Sequence, residues 1–119
     1  MKKIAAFENA KANKLSFKEA GINSTLYWAY EESKDAEREY IDFSEVIWEK
    51  DIEQIVKNLL ENGIHKFTIS STFSGLIGTL AEFEKHGFKI DGLTKVNARW
   101  TDTFTGKREI VPALLMKKA

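Results

Sequence analysis

Hydroxyl side chains cluster between a predicted strand and a predicted helix within residues 65–88. Free backbone N–H groups and the helix dipole converge at such a turn, so a phosphate or carboxylate is the expected ligand. Two glycines, Gly75 and Gly78, lie three residues apart and would let backbone approach a ligand closely. The lysine of a P-loop and the G-x-G-x-x-G pattern are both missing. The predicted ligand-binding residues are Ser70, Ser71, Thr72, Ser74 and Gly75.

The alternative for this turn requires no ligand. One hydroxyl would cap the helix, the others would be solvated, and Gly78 would let the helix pack tightly on the sheet.

Charges are segregated along a chain of zero net charge. Residues 1–30 carry five lysines and two glutamates (net +3), residues 31–53 ten acids and three bases (net −7), and residues 54–119 ten bases and six acids (net +4). Such asymmetry can guide association with a charged partner. The predicted partner-binding residues are Glu31, Glu32, Asp35 and Glu37 on the acidic side, and Arg99, Trp100, Lys107 and Arg108 on a basic hairpin. The alternative is a solvated acidic helix face beside a solvated basic hairpin.

The basic hairpin also permits binding of single-stranded nucleic acid, because aromatic and basic residues on strands can stack bases and hold phosphates. Nucleic acid is not the favoured partner, since the chain lacks a basic excess. Trp100 would otherwise cover one face of the sheet.

Residue types exclude several kinds of chemistry. The absence of cysteine removes disulfides, thiol catalysis and cysteine-ligated zinc. The two histidines, His65 and His86, form no H-E-x-x-H motif, and no G-x-S-x-G elbow is present. Paired carboxylates can hold magnesium, but a chance pair is expected in a stretch this rich in acids. We therefore predict no catalytic residues, no metal site and no cofactor, including at Asp42, Glu45, Glu49 and Asp51 beside the end of the first strand.

Composition predicts a single domain over residues 1–119, with 43% hydrophobic and 30% charged residues supporting an ordinary core. The first residues contain no apolar run long enough for a signal peptide, and no stretch approaches a membrane span. The missing cysteines fit a reducing cytoplasm. We expect a cytoplasmic protein with no membrane partner.

Hydrophobic periodicity and capping signals place the elements. Five helices are predicted. The first covers residues 2–12, the second begins at a capping box at Ser16, and the third covers 25–38 after an Asn23-Ser24 cap. The fourth extends from Asp51 to Asn62-Gly63, and the fifth from Phe73 to Gly87. Tyr27, Trp28 and Tyr30 are read mostly as core, although three aromatics could also supply an interface anchor. Strands are predicted over residues 39–48, around Phe67 and Ile69, and over 88–101 and 107–117, with a glycine-containing hairpin loop over 102–106.

This order predicts an α/β (α+β) fold: a mixed four-stranded sheet with a β-α-β-α-β-β core, preceded by one or two N-terminal helices. Each β-helix-β step should place parallel strands side by side, and the last hairpin should be antiparallel. Exposed strand edges permit either a monomer or a homodimer.

Four segments, at residues 14–24, 40–43, 67–74 and 105–115, resemble a family of short uncharacterised proteins from phages and mobile elements of Gram-positive gut bacteria. The resemblance implies a mobile-element setting and an accessory role, such as inhibition of a host defence system by binding.

A shorter segment, Phe67-Thr68-Ile69-Ser70 followed by a helix ending Phe83-Glu84-Lys85-His86-Gly87-Phe88, is similar to part of the GNAT acetyltransferases. It would imply acyl transfer. The pyrophosphate loop of that family is absent, and the N-terminal half lacks its strands, so we interpret this similarity as convergent.

The sequence as a whole favours a non-catalytic accessory protein that binds a macromolecular partner, most simply another protein. The alternative is small-molecule or nucleotide-type anion binding at Ser70–Gly75, with acyl transfer as an extension.

Overall fold

The computed structural model describes all 119 residues. Its helices are α1 (Ala5–Ala12), α2 (Phe17–Ala20), α3 (Ser24–Asp35), α4 (Ile52–Glu61) and α5 (Leu76–Lys85), with a 3₁₀ turn at Glu49–Asp51. Its strands are β1 (Asp42–Phe43), β2 (Lys66–Ile69), β3 (Phe88–Thr101) and β4 (Arg108–Lys118). The α+β class and the mixed four-stranded sheet are confirmed.

Three helices precede the sheet, because the capping box at Ser16 begins a short helix of its own. Ser16 and Glu19 exchange side-chain and backbone hydrogen bonds as predicted, and Asn23 caps α3 by accepting from the N–H of Leu26. The buried face of α3 consists of Leu26, Ala29, Tyr30 and Ser33.

The strand order is β1-β2-β4-β3. β1 pairs with β2 in parallel, as predicted, and β3 pairs with β4 as an antiparallel hairpin. The prediction that β2 and β3 are neighbours is wrong: β4 lies between them and pairs antiparallel with both. β4 is central only over Leu114–Lys117, where it pairs with β2 and carries the apolar Leu114, Leu115 and Met116, whereas β3 carries lysines and lies at the edge.

The first strand is much shorter than the predicted span of 39–48. Residues 44–48 leave the sheet because side chains hold their backbone elsewhere. The hydroxyl of Ser71 donates to the carbonyl of Glu45 (2.9 Å), and Thr79 donates to the carbonyl of Ile47 (3.0 Å). These hydrogen bonds reach more than 20 residues along the chain, so local alternation cannot show them.

Side chains alternate across β1 and β2 and divide the sheet into two faces. On one face Phe67 packs against Phe43, Phe83 and Phe88, with ring centroids 5.4, 4.9 and 5.2 Å away. This face carries α5. On the other face Asp42 and Thr68 lie beneath α3, where polar side chains are buried together.

Candidate functional site

A groove opens at the carboxyl ends of the two parallel strands. β1 and β2 end at Phe43 and Ile69, so the chain leaves the sheet at neighbouring points and forms two adjacent loops. The backbone N–H groups of Ser70 and Ser71 both donate to the carbonyl of Phe43, at 3.0 and 3.3 Å. In open α/β sheets this edge is where ligands bind.

The groove has a volume of about 1010 Å³. Helix α3 forms one wall, and the loops after β1 and β2 form the other. Its polar lining consists of hydroxyls and two carboxylates, with no lysine, arginine or histidine. The residues are Ser24, Thr25, Trp28, Ala29, Glu32, Phe43, Ser44, Glu45, Val46, Trp48, Ser70, Ser71, Thr72 and Phe73.

The floor of the groove rests on the buried carboxylate of Asp42. Thr68 and Ser70 each donate a hydroxyl hydrogen bond of 2.6 Å to it, one to each oxygen. The guanidinium of Arg38 lies 3.7 Å away, and the backbone N–H of Asp42 donates to Ser33 at 2.8 Å. The Ser70 hydroxyl is thereby committed to the structure beneath the groove.

The buried Arg38 connects this floor to α3 and to the edge strand. It donates to the carbonyl of Asn97 at 2.7 Å and pairs with Glu32 at 3.3 Å. The same oxygen of Glu32 accepts a 2.6 Å hydrogen bond from Ser44. One carboxylate on the groove wall is therefore fixed by a cation from below and a hydroxyl from the side.

Two tryptophans line the groove and remain largely exposed. Trp28 projects from α3 and Trp48 from the segment before the 3₁₀ turn, and each is 61% exposed. The expectation that Trp28 belongs mostly to the core is therefore wrong, while Tyr30 on the same helix is fully buried. Exposed tryptophans on a concave surface are the side chains that most often anchor a partner.

The structure brings part of the predicted serine turn to the groove. Ser70, Ser71 and Thr72 line it, whereas Ser74 and Gly75 do not. No hydroxyl caps α5, whose N-cap is Gly75, so the capping alternative is wrong for this turn. Gly78 faces the carboxylate of Glu49 in the 3₁₀ turn and not the sheet, so it does not serve helix–sheet packing as that alternative proposed.

The four predicted acidic residues differ in their surroundings. Glu31 and Glu32 are half-buried and paired, whereas Asp35 and Glu37 are exposed. Glu31 pairs with Lys11 and Lys34, both at 3.4 Å. Burial alone would lower the pKa of Lys34, but its hydrogen bond to Glu8 and the charge of Glu31 raise that pKa above its ordinary value. Part of the acidic run is therefore neutralised within the fold.

The predicted basic hairpin lies beside the acidic helix. Arg99 pairs with Glu32 at 3.7 Å and with Glu45 at 3.5 Å, and Arg108 donates to the carbonyl of Asp35 at 2.7 Å. These arginines line a smaller cavity of about 450 Å³ against α3 that also includes Trp28. Trp100 and Lys107 are exposed and lie outside both cavities.

Sequence patterns indicate no role for Trp48 and Ser44; they offer Trp28 only as an alternative interface anchor and Glu45 only as one of the acids that could hold magnesium. One signal was available: Leu26, Ala29, Tyr30 and Ser33 define the apolar face of α3, and Trp28 falls off it. Trp48 carried no such signal, because it follows Val46 and Ile47 in an apparent strand.

The remaining features concern metals and membranes. No group of three or more histidine, aspartate or glutamate side chains lies close enough together to hold a metal ion. No helix combines the length and apolar character needed to cross a membrane.

A family model described as a domain of unknown function, DUF7698, matches residues 25–118. The match begins one residue into α3 and ends at the last residue of β4, so it contains every groove residue except Ser24. No curated protein and no solved structure matches the chain.

Proposed function

The chain belongs to the DUF7698 family, and we propose that it acts without catalysis, by binding a protein partner in the groove between Trp28 and Trp48. The observation that carries the proposal is the exposure of two tryptophans on one concave surface. Buried tryptophans supply a large share of the binding energy in protein interfaces. A groove of about 1010 Å³ has room for several side chains of a partner.

The charges of the groove favour a protein over a phosphate-bearing ligand. Glu32 and Glu45 line it, and no cationic side chain does. The hydroxyls of Ser70 and Ser71 already donate to Asp42 and to the carbonyl of Glu45. A nucleotide or nucleic-acid phosphate would meet two carboxylates and no cationic side chain of the lining.

The same contacts support a binding role over an enzymatic one. A serine nucleophile is usually activated by a histidine, and no histidine lines the groove; the carboxylate that Ser70 contacts is itself held by Thr68 and Arg38 beneath the groove. The proposal retains the setting expected from the sequence: a cytoplasmic, mobile-element protein, monomer or homodimer, that inhibits a host defence system by binding one of its proteins.

The test compares capture of partner by tryptophan variants. Trp28→Ala and Trp48→Ala should each weaken the partner's Kd about 30-fold, or about 2 kcal/mol. Trp100→Ala is the matched control, because Trp100 is 59% exposed but lies outside the groove. The immobilised protein is incubated with lysate of the organism that encodes it, and bound proteins are quantified for all variants.

Selective loss in the two groove variants supports the proposal. Full capture of the partner by both Trp28→Ala and Trp48→Ala would contradict the proposal. Loss of capture only in Trp100→Ala would indicate that the partner contacts the hairpin.

A small-molecule ligand is the second candidate, because the groove lies at the carboxyl ends of parallel strands and Ser70, Ser71 and Thr72 line it. A panel of nucleotides, cyclic nucleotides and acyl-coenzyme A tests it by thermal shift. A ligand at 100 times its Kd should stabilise the fold by about 2.7 kcal/mol. Acyl-coenzyme A in this panel also tests acyl transfer, and no shift with any compound would count against this candidate.

A further inference from the structure

The chain already places one guanidinium group against the groove. Arg99 bridges Glu32 and Glu45, the two carboxylates of the lining, at 3.7 and 3.5 Å. One carboxylate comes from α3 and the other from the loop after β1, so the guanidinium spans the two walls. Within this chain, then, the two carboxylates of the groove pair with a guanidinium group.

This internal contact is easily exchanged. The side chains of Arg99 and Glu45 are 60% and 78% exposed, and ion pairs between exposed side chains contribute little to stability. Arg99 also lies where the pairing of β3 with β4 is irregular, between Asn97 and Thr101. By contrast, Glu32 is only 22% exposed and is fixed by Arg38 and Ser44. The groove would therefore keep its shape when Arg99 leaves.

The surroundings suit an arginine better than any other charged side chain. A guanidinium can pair with carboxylates through several N–H donors and can stack on the aromatic face of Trp28 or Trp48. The only other cation on these carboxylates is the buried Arg38, which pairs with the second oxygen of Glu32 from beneath and leaves Glu45 to Arg99 alone. Charge complementarity therefore specifies a basic segment of a polypeptide.

We propose that the partner inserts an arginine into the groove against Glu32 and Glu45, and that Arg99 acts as a built-in competitor which the partner displaces. This inference rests on the proposed function and specifies the chemistry of the partner. It makes Arg99 a residue whose removal strengthens binding. Since apparent affinity is reduced by the fraction of protein whose site is open, Arg99→Gln should tighten binding about threefold to tenfold.

The probe is an acetylated, amidated peptide of alternating arginine and glycine, with the same peptide containing citrulline as the neutral isostere. Binding is followed by tryptophan fluorescence in a Trp100→Phe background, so that only Trp28 and Trp48 report. The arginine peptide should bind at least tenfold more tightly than the citrulline peptide. Glu45→Gln should weaken it about threefold to tenfold, and this exposed position allows the variant to fold.

Three results would overturn the inference: no binding of the arginine peptide, equal binding of both peptides, or unchanged or weaker binding by Arg99→Gln. Melting temperatures of Arg99→Gln and Glu45→Gln within a few degrees of the parent protein establish that the fold is intact. If Trp28→Ala and Trp48→Ala abolish partner capture while the arginine peptide fails to bind, only this inference falls. If Trp28→Ala and Trp48→Ala both still capture the partner, the proposed function itself is contradicted.

Discussion

At the scale of single residues, Asp42 shows how burial changes the structural role of a carboxylate. In the sequence it is one of ten acids within residues 31–53. In the structure it is fully buried and joins Thr68, Ser70 and Arg38 beneath the groove. Its two hydroxyl partners lie 26 and 28 residues away along the chain, so no local pattern distinguishes Asp42 from its exposed neighbours.

Removing the charge of Asp42 should destabilise the fold strongly. Asp42→Asn keeps the shape but removes one of the two counter-charges of Arg38, and its amide NH2 replaces one of the two oxygens that accept from Thr68 and Ser70, which costs about 2 kcal/mol. Urea unfolding at pH 7 measures the free energy of unfolding. The control is Glu61→Gln, whose exposed pair with Lys57 should contribute less than about 0.5 kcal/mol. Equal decreases in the free energy of unfolding of Asp42→Asn and Glu61→Gln would contradict the structural role given to Asp42.

Glu8 gives a prediction about pH. Hydrogen bonds from Tyr30 (2.8 Å) and Lys34 (3.0 Å) lower the pKa of Glu8 below its ordinary value of 4.5. A lowered pKa in the folded state means that Glu8 stabilises the protein above about pH 4.5 and that this stabilisation disappears as the pH falls through the lowered pKa. Glu8→Gln should therefore be about 1 kcal/mol less stable at pH 7.

Thermal or urea unfolding between pH 2.5 and pH 7 tests this prediction. The two curves should converge at the acidic end, where Glu8 is protonated in the parent protein. A gap between parent and variant that is constant across this range would refute the role given to the carboxylate.

At the scale of elements, the sequence located most helices and the final hairpin but not the order of the strands. Helix α4 and the turn at Asn62-Gly63 are local features, and periodicity and capping found both. β4 lies between β2 and β3 only over Leu114–Lys117, and most of the strand before that segment is exposed or half-buried. The apolar Leu114, Leu115 and Met116 beside the lysines of β3 favour this position for β4, whereas the β-helix-β rule predicts β3 beside β2.

One of the two irregularities in the pairing of the hairpin lies at a glycine. Gly92 has a φ of 113° where the register shifts between Ile90 and Leu93. Nothing lies near its missing β-carbon, so Gly92→Ala should cost about 1–2 kcal/mol through backbone strain alone. Gly75→Ala is the matched control: its φ is −91° and its β-carbon would make ordinary contact with Phe73 at 3.7 Å.

The control should change stability by no more than about 0.5 kcal/mol. Chemical denaturation of both variants measures their free energies of unfolding. A Gly92→Ala protein as stable as the parent would contradict the claim that the positive φ at this position requires glycine.

At the scale of the whole molecule, charges that are separate in sequence meet in space. The net −7 of residues 31–53 predicted an acidic surface distinct from the basic hairpin. The fold places Arg99 against Glu32 and Glu45, and Arg108 against the end of α3. Local sequence patterns cannot show these contacts, since Arg99 lies 67 residues from Glu32 and 54 from Glu45 along the chain. Part of the predicted ligand site did reach the groove, because strand ends are predictable from local patterns.

The central claim is that a partner contacts the groove and not the tip of the hairpin. Site-specific photocrosslinking tests it most directly, with p-benzoylphenylalanine placed at Thr72 in the groove or at Phe104 in the exposed hairpin loop. Both positions are exposed, and Phe104 is already aromatic, so each variant should fold. After irradiation in the presence of the captured partner, we expect a covalent adduct from position 72 and none from position 104. An adduct from position 104 with none from position 72 would contradict the account.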